Sequence, residues 1–294
     1  MNYKNILLLV FGFFVSSVGF SQDAKERNQE NINVNKFRQL YQEFSSPNMF
    51  RTASGAPGPA YYQQQADYKM DIELDDENKR IYGSETITYT NNSPDNLEYL
   101  WVQLDQNIRK KDSPSLLIDG GGVSPAYLPS GFTKEFLTDS FDGGFNIEYV
   151  VDENNKPLKH FVNQTMMRVD LPNILKSGES FSFSIKWWYN IQDHVNQDGR
   201  SGYESFDKDG NRVYIIAQFF PRMAVYNEVE GWQNYQFWGD GEFALPFGNY
   251  DVKITVPSDH VLDATGELQN RKNVFSKEMI KRYNKAKKTY DKPV

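Results

Sequence analysis

Three histidines, His160, His194 and His260, are the only imidazoles in a chain of 294 residues that has no cysteine. They therefore bound the metal and acid–base chemistry open to it. A mononuclear zinc hydrolase needs three protein ligands, an open fourth position for water and a general base beside it. The H-E-x-x-H spacing meets part of that need by placing two imidazoles on one helical face, and none of the three histidines begins such a pattern. His160 falls in an expected strand, His194 in a polar loop and His260 in a turn after a strand, so no residue is assigned to metal or to catalysis. Ser201, in the stretch R-S-G-Y-E-S, lacks the strand-to-helix turn that exposes a nucleophilic hydroxyl. Asp207, Asp209 and Asn211 cluster oxygens of the kind calcium favours, but no bidentate glutamate closes the loop. Gly210 and Asn211 instead predict a hairpin turn with positive φ. The triplet Gly120, Gly121 and Gly122 lacks the G-x-x-x-x-G-K pattern of a phosphate cradle and reads as loop.

Gln218 is a polar side chain in an apolar setting. It falls near the end of an apolar run, Val213 to Phe219, and opens the stretch Q-F-F-P-R-M-A that closes at Ala224. This Q-F-x-P-x-x-A spacing, with the alternating strand from Gly248 to Pro257 and the T-G-E-L ending at Leu268, resembles the N-terminal domain of aminopeptidase N-like zinc metallopeptidases, peptidase family M1. The resemblance covers residues 61–270. It implies a saddle-like β domain, a parent activity that removes N-terminal residues from peptides, and zinc held by a catalytic domain C-terminal to this chain. It also implies that Gln218 lies beside the first residue of the peptide substrate. The family commonly places an acid two residues further on to bind the free α-amine, and here that position is Phe220. A phenyl ring forms no charge-assisted hydrogen bond with an ammonium. Either Glu228 or Glu230 takes that role, or the preference for free N-termini is altered. The aromatic set Phe219, Phe220, Tyr226, Trp232, Tyr235, Phe237 and Trp238 is expected to line an apolar pocket or to serve as core or interface. Without H-E-x-x-H the chain alone is expected to be inactive and to carry no cofactor of its own.

The elements that must position these residues are strands. Tyr68, Met70, Ile72 and Leu74 alternate with charged neighbours, a period of two that predicts a half-buried antiparallel strand. Asp75 to Asn78 turns the chain into a return strand, Ile81 to Tyr89, and Asn91 to Asn96 turns it again into Leu97 to Leu104, which together predict a meander. Further strands are expected at Phe145–Val151, Leu158–Asn163 and Thr165–Leu171. The stretch from Phe181 to Tyr189 carries the most aromatic alternating face and is expected in the core. Val213 to Phe219, apolar except at Gln218, predicts a strand covered on both faces. These elements read as an all-β antiparallel sandwich over residues 61–270, preceded by a short helix carrying Val34, Phe37, Tyr41 and Phe44. After Gly266, Phe275, Met279, Tyr283, Ala286 and Tyr290 share one face of a basic helix over 271–294 that leads on to the expected catalytic domain.

Lys4, the apolar run Ile6 to Val18 and the small residues before Gln22 predict a signal peptide cleaved after Ser21, hence export to the periplasm or medium with no membrane span once it is removed. That run is shorter than the ~18–20 apolar residues a membrane span needs. Residues 22–60 then form a leader that ends in the G-A-P-G-P stretch closing at Pro59. A net charge of −7 argues against nucleic acid and anionic membranes as general partners. The same composition, rich in tyrosine, phenylalanine and tryptophan, also fits a secreted β-sandwich binding module for carbohydrate or a protein partner.

Overall fold

The computed structural model describes residues 47–115, 126, 128–133, 141–195, 200–239, 241 and 243–294. The expected signal peptide, the leader helix and the glycine triplet lie outside the described residues. The chain divides into two compact units, Met1–Ala60 and Tyr61–Val294. In the first, the described residues turn back on themselves, with Arg51 bridged to Pro57 and the Asn48 side chain accepting from the Phe50 and Arg51 amides.

The second unit contains thirteen strands among its described residues. In chain order they are β1 (Gln65–Asp75), β2 (Arg80–Thr90), β3 (Leu97–Gln103), β4 (Asn146–Asp152), β5 (His160–Asn163), β6 (Met166–Leu175), β7 (Ser180–Asn190), β8 (Gly202–Phe206), β9 (Asn211–Ile215), β10 (Arg222–Met223), β11 (Tyr226–Asn227), β12 (Gly231–Trp232) and β13 (Tyr250–Thr255). A five-stranded sheet has the order β13-β1-β2-β7-β4, and a four-stranded sheet the order β10-β3-β6-β5. Period-two alternation decides which face of each strand is dry. Tyr68, Met70 and Ile72 of β1, Ile87 and Tyr89 of β2, and Phe183, Ile185 and Trp187 of β7 meet Leu100, Val102, Met167 and Val169 of the second sheet in one core. On the outer face the hydroxyls of Thr86, Thr88 and Thr90 pair across the ladder with those of Ser184, Ser182 and Ser180, at 2.8–2.9 Å. The fold is the expected all-β sandwich of mostly antiparallel strands.

Four details differ from expectation, each because tertiary pairing decided what local pattern did not. β1 and β2 form the predicted hairpin, but β3 leaves for the second sheet, where it pairs with β6 and β10. Buried Asn91 ties that corner, accepting from Gln64 Nε2 at 3.0 Å and donating to the Asp95 and Leu175 carbonyls. Secondly, β13, expected as an alternating strand of an antiparallel sandwich, joins β1 in parallel, Tyr250 opposite Tyr68, with its residues largely exposed. Gly248 makes this approach possible, since a Cβ there would stand 1.6 Å from the Ala66 carbonyl oxygen. Thirdly, Val213 to Phe219 is not a strand covered on both faces. β9 ends at Ile215 in a hairpin with β8, and Val213 and Ile215 are more than half exposed. Finally, the basic tail forms two helices, Arg271–Val274 and Lys277–Ala286, broken at Phe275. Ser276 caps the second by accepting from the Met279 amide, and the Arg271 guanidinium stacks 4.1 Å over the Tyr283 ring.

Candidate functional site

Gln218 lies in a turn that leaves β9 and enters β10, with its backbone at φ +52°, in the left-handed region that side chains other than glycine rarely adopt. Buried side chains from three elements and from the loop before β8 hold this stretch there. Gln106, on the 3-10 helix Asp105–Arg109 that follows β3, donates from Nε2 to the carbonyls of both Ala217 and Gln218 at 3.0 Å. The Ser201 hydroxyl donates to the Ala217 carbonyl at 3.0 Å and accepts from its amide at 2.8 Å. Trp187 of β7 donates from Nε1 to the Phe219 carbonyl at 3.3 Å. Beyond the proline, the Met223 amide donates to the Tyr68 hydroxyl at 2.9 Å and the Ala224 amide to the Trp101 carbonyl at 2.9 Å. Six backbone groups of this partly buried, mostly apolar stretch thus have partners, which is what makes an otherwise costly turn persist.

Behind this clamp runs a second set of bonds. Arg109 donates from Nη1 to Gln106 Oε1 at 3.2 Å and from Nε to Gln192 Oε1, and Gln192 donates in turn to the Ser201 carbonyl. Burial lowers the pKa of the Arg109 guanidinium from its ordinary value, against the pull of Tyr189 and Asp105. Arg222, on β10, donates to Asp105 Oδ2 at 2.5 Å, with Asp105 only 1% exposed. Burial raises the Asp105 carboxyl above the usual range, and the Arg222 charge opposes that rise without cancelling it. Sequence reasoning missed Gln106, Arg109 and Gln192. The one local signal of Gln106 and Arg109 is their spacing three apart shortly after β3, which reads equally well as an ordinary loop, and Gln192, just past β7, carries none.

The structure does not bring the other candidate residues to this turn. Glu228 and Glu230 lie in the β11–β12 turn, where Asn227 Oδ1 accepts from the Val229 and Glu230 amides and Glu230 accepts from the Tyr235 hydroxyl. Tyr226, beside them, donates to Asp95 just before β3, whereas the Gln218 turn is held from Gln106 just after it. At ~3.3 Å per residue the seven residues of β3 set those two anchors, Asp95 and Gln106, roughly 20 Å apart along the strand. Phe220 packs edge-on against Tyr68 and Tyr250, with centroids at 5.6 and 6.3 Å, and serves the core. The aromatic set divides into separate clusters rather than one pocket. Phe219 and Phe220 join Tyr68, Tyr226 and Trp232 join Tyr89, Phe237 packs near Phe243, and Tyr235 is 57% exposed.

The histidines are also apart. His160 is on the edge strand β5 with Nδ1 against the Leu158 carbonyl, and His194 is bonded through its amide to Tyr203. His260 stands 2.9 Å from Asp259 and 3.8 Å from Asp76, whose carboxylate also takes Arg212 and the Tyr214 hydroxyl. Among the described residues no group of three such side chains is placed to hold a metal ion. Asp207 to Asn211 forms the predicted hairpin turn, with Gly210 at φ +72°.

No family model matches the sequence, and no curated protein sequence matches it. Among solved structures, the chain is similar to an M1 zinc metallopeptidase from Deinococcus radiodurans, at 12% identity over 72% of this chain and 38% of that one, with a TM-score of 0.33. A mutant of that enzyme bound to a Tyr-Ser-Ala substrate is similar at 13% identity over 73% of this chain and 39% of that one, again with a TM-score of 0.33. Another, bound to L-tryptophan, gives the same values. The chain spans about two fifths of the length of these enzymes.

Proposed function

We propose that this chain is the N-terminal, non-catalytic domain of an exported zinc metalloaminopeptidase, and that the Gln218 turn forms one wall of the cleft holding the first residue of a peptide. The observation that carries this reading is the turn itself. Gln218 keeps a strained left-handed backbone while its carbonyl is fixed from behind by Gln106, and its side chain is not needed for either contact. Strain held by surrounding structure collects where a side chain must be aimed. The family that the Q-F-x-P-x-x-A spacing resembles suggests at what: the amino end of a peptide. With Phe220 committed to the core and Glu228 and Glu230 at the far end of β3, an acid for the α-amine comes from outside this turn, from the catalytic domain. Reading the gene in frame beyond the Val294 codon tests this, with H-E-x-x-H and a downstream glutamate as the expected result and an immediate stop as the contrary one. The purified chain, supplied with zinc, is expected not to hydrolyse aminoacyl-nitroanilides.

A second reading, a secreted binding module for carbohydrate or protein, draws on the exposed aromatics Tyr235, Phe247 and Tyr250. Quenching of tryptophan fluorescence by a polysaccharide would favour it over the first.

A further inference from the structure

Glu85 is an acid in the wrong place. It sits at the middle of β2 on the core face, directly opposite Met70 of β1 and Ile185 of β7, and is 2% exposed. Neither of its carboxyl oxygens has a hydrogen-bond partner in the protein. A charged carboxylate left so is among the most costly things a core can hold, and a buried polar group without a partner in a native fold calls for an explanation.

Register explains what it touches. Tyr68 and Trp187 are two of the four diagonal neighbours of Glu85 on the same sheet face, one on each adjacent strand, with Ile72 and Phe183 the others. Glycine at 83 keeps the Trp187 ring low over β2, since a Cβ there would come within 2.4 Å of the indole. These two aromatic side chains are also the props of the Gln218 turn, Trp187 through the Phe219 carbonyl and Tyr68 through the Met223 amide and the Phe220 ring. Glu85 thus lies beneath the turn, between the two groups that carry it.

We propose that Glu85 is a proton-operated support of the Gln218 turn, which holds the turn in place while its carboxyl is neutral and shifts it, by way of Tyr68 and Trp187, when the carboxyl ionises. Burial pushes this carboxyl well above the usual carboxylate range, in line with a neutral group at ordinary pH. The other titratable groups around it do not supply a counter-charge. Burial raises the Tyr68 hydroxyl on β1 well above its ordinary value, and the half-exposed Tyr250 on β13 is shifted the same way, chiefly by partial burial. On β7, Tyr189 is buried and neutral. From the second sheet, Arg222 is already bound to Asp105 and Gln103. An ionised Glu85 must therefore draw in water or pull on Arg222, and either displaces what rests above it. The inference concerns the conformation of the turn and stands whether or not the turn faces a peptide.

The test is a pH titration of the chain labelled with 15N-tryptophan, with the Trp187 indole resonance assigned through Trp187→Phe. Between about pH 6 and about pH 9.5, below the ordinary range of lysine and tyrosine, the Trp187 resonance is expected to move along a one-proton curve in the wild type and to stay still in Glu85→Gln. Glu85→Met, apolar and of similar length, serves if Glu85→Gln does not fold. A Trp187 resonance that is static across this range in the wild type overturns the proposal irrespective of the variants. So does an identical curve in wild type and variant.

Discussion

Gln218 has a backbone that glycine would adopt more readily, and this makes a test that separates aim from stability. Residues with a Cβ lose on the order of 1 kcal/mol or more in the left-handed region, and glycine recovers part of that after its own entropic cost. Gln218→Gly is therefore expected to raise the stability of the chain by roughly 0.5 kcal/mol, read as a higher denaturant midpoint at unchanged m. A lower midpoint would mean that the glutamine side chain itself holds the turn. The residue was legible in the sequence through its spacing to Pro221 and Ala224, but its strain was not. Nor were its supports, because Gln106, Ser201 and Trp187 approach from 112, 17 and 31 residues away, and nothing local announces contacts of that span.

At the scale of elements, alternation was the reliable signal. Leu74 and the other inward residues of β1, and the aromatic face of β7, were placed on the dry side by period alone. What period cannot give is the partner. β13 alternates as cleanly as β1 yet lies at the edge of its sheet in parallel, because register between strands some 180 residues apart is set by the whole core. β3 likewise follows β2 closely in sequence and joins the other sheet. The β2–β7 pairing yields its own prediction. Gly83→Ala puts a methyl within 2.4 Å of the fully buried Trp187 ring, which must move out of a packed core. A loss of about 1–3 kcal/mol is expected from such overpacking, with a change in the Trp187 indole environment. A neutral substitution would show that the ring has room and that its bond to Phe219 does not fix it.

The whole molecule separates its charge. Residues 61–270 hold 33 acidic and 17 basic side chains, and residues 271–294 hold two acidic and nine basic. Two opposite titrations act on this background. Asp67, Asp75, Asp76 and Asp170 have carboxyls lowered chiefly by hydrogen bonds, so the stability they add is present above the unfolded carboxylate range and is lost as pH falls through their folded values. Glu85 and Asp105 are raised chiefly by burial, so their share is present at low pH and is lost as pH rises. The chain is expected to be most stable in the mildly acidic range and to decline on both sides, with Glu85→Gln removing part of the alkaline decline. On that side each such group contributes at most about 1.4 kcal/mol per pH unit. A stability that stays level from mildly acidic to alkaline pH would contradict this balance.

The central claim is that the clamped turn aims Gln218 at the amino end of a peptide. The most direct measurement is the hydrolysis of an aminoacyl-nitroanilide by the product of the complete reading frame, with Gln218 intact and as Gln218→Ala. The account predicts that the variant keeps its zinc content and its Tm but loses about tenfold in kcat/KM, the worth of roughly one hydrogen bond at ~1.4 kcal/mol. Equal kcat/KM in the two proteins, or no hydrolysis by the intact one, would contradict it.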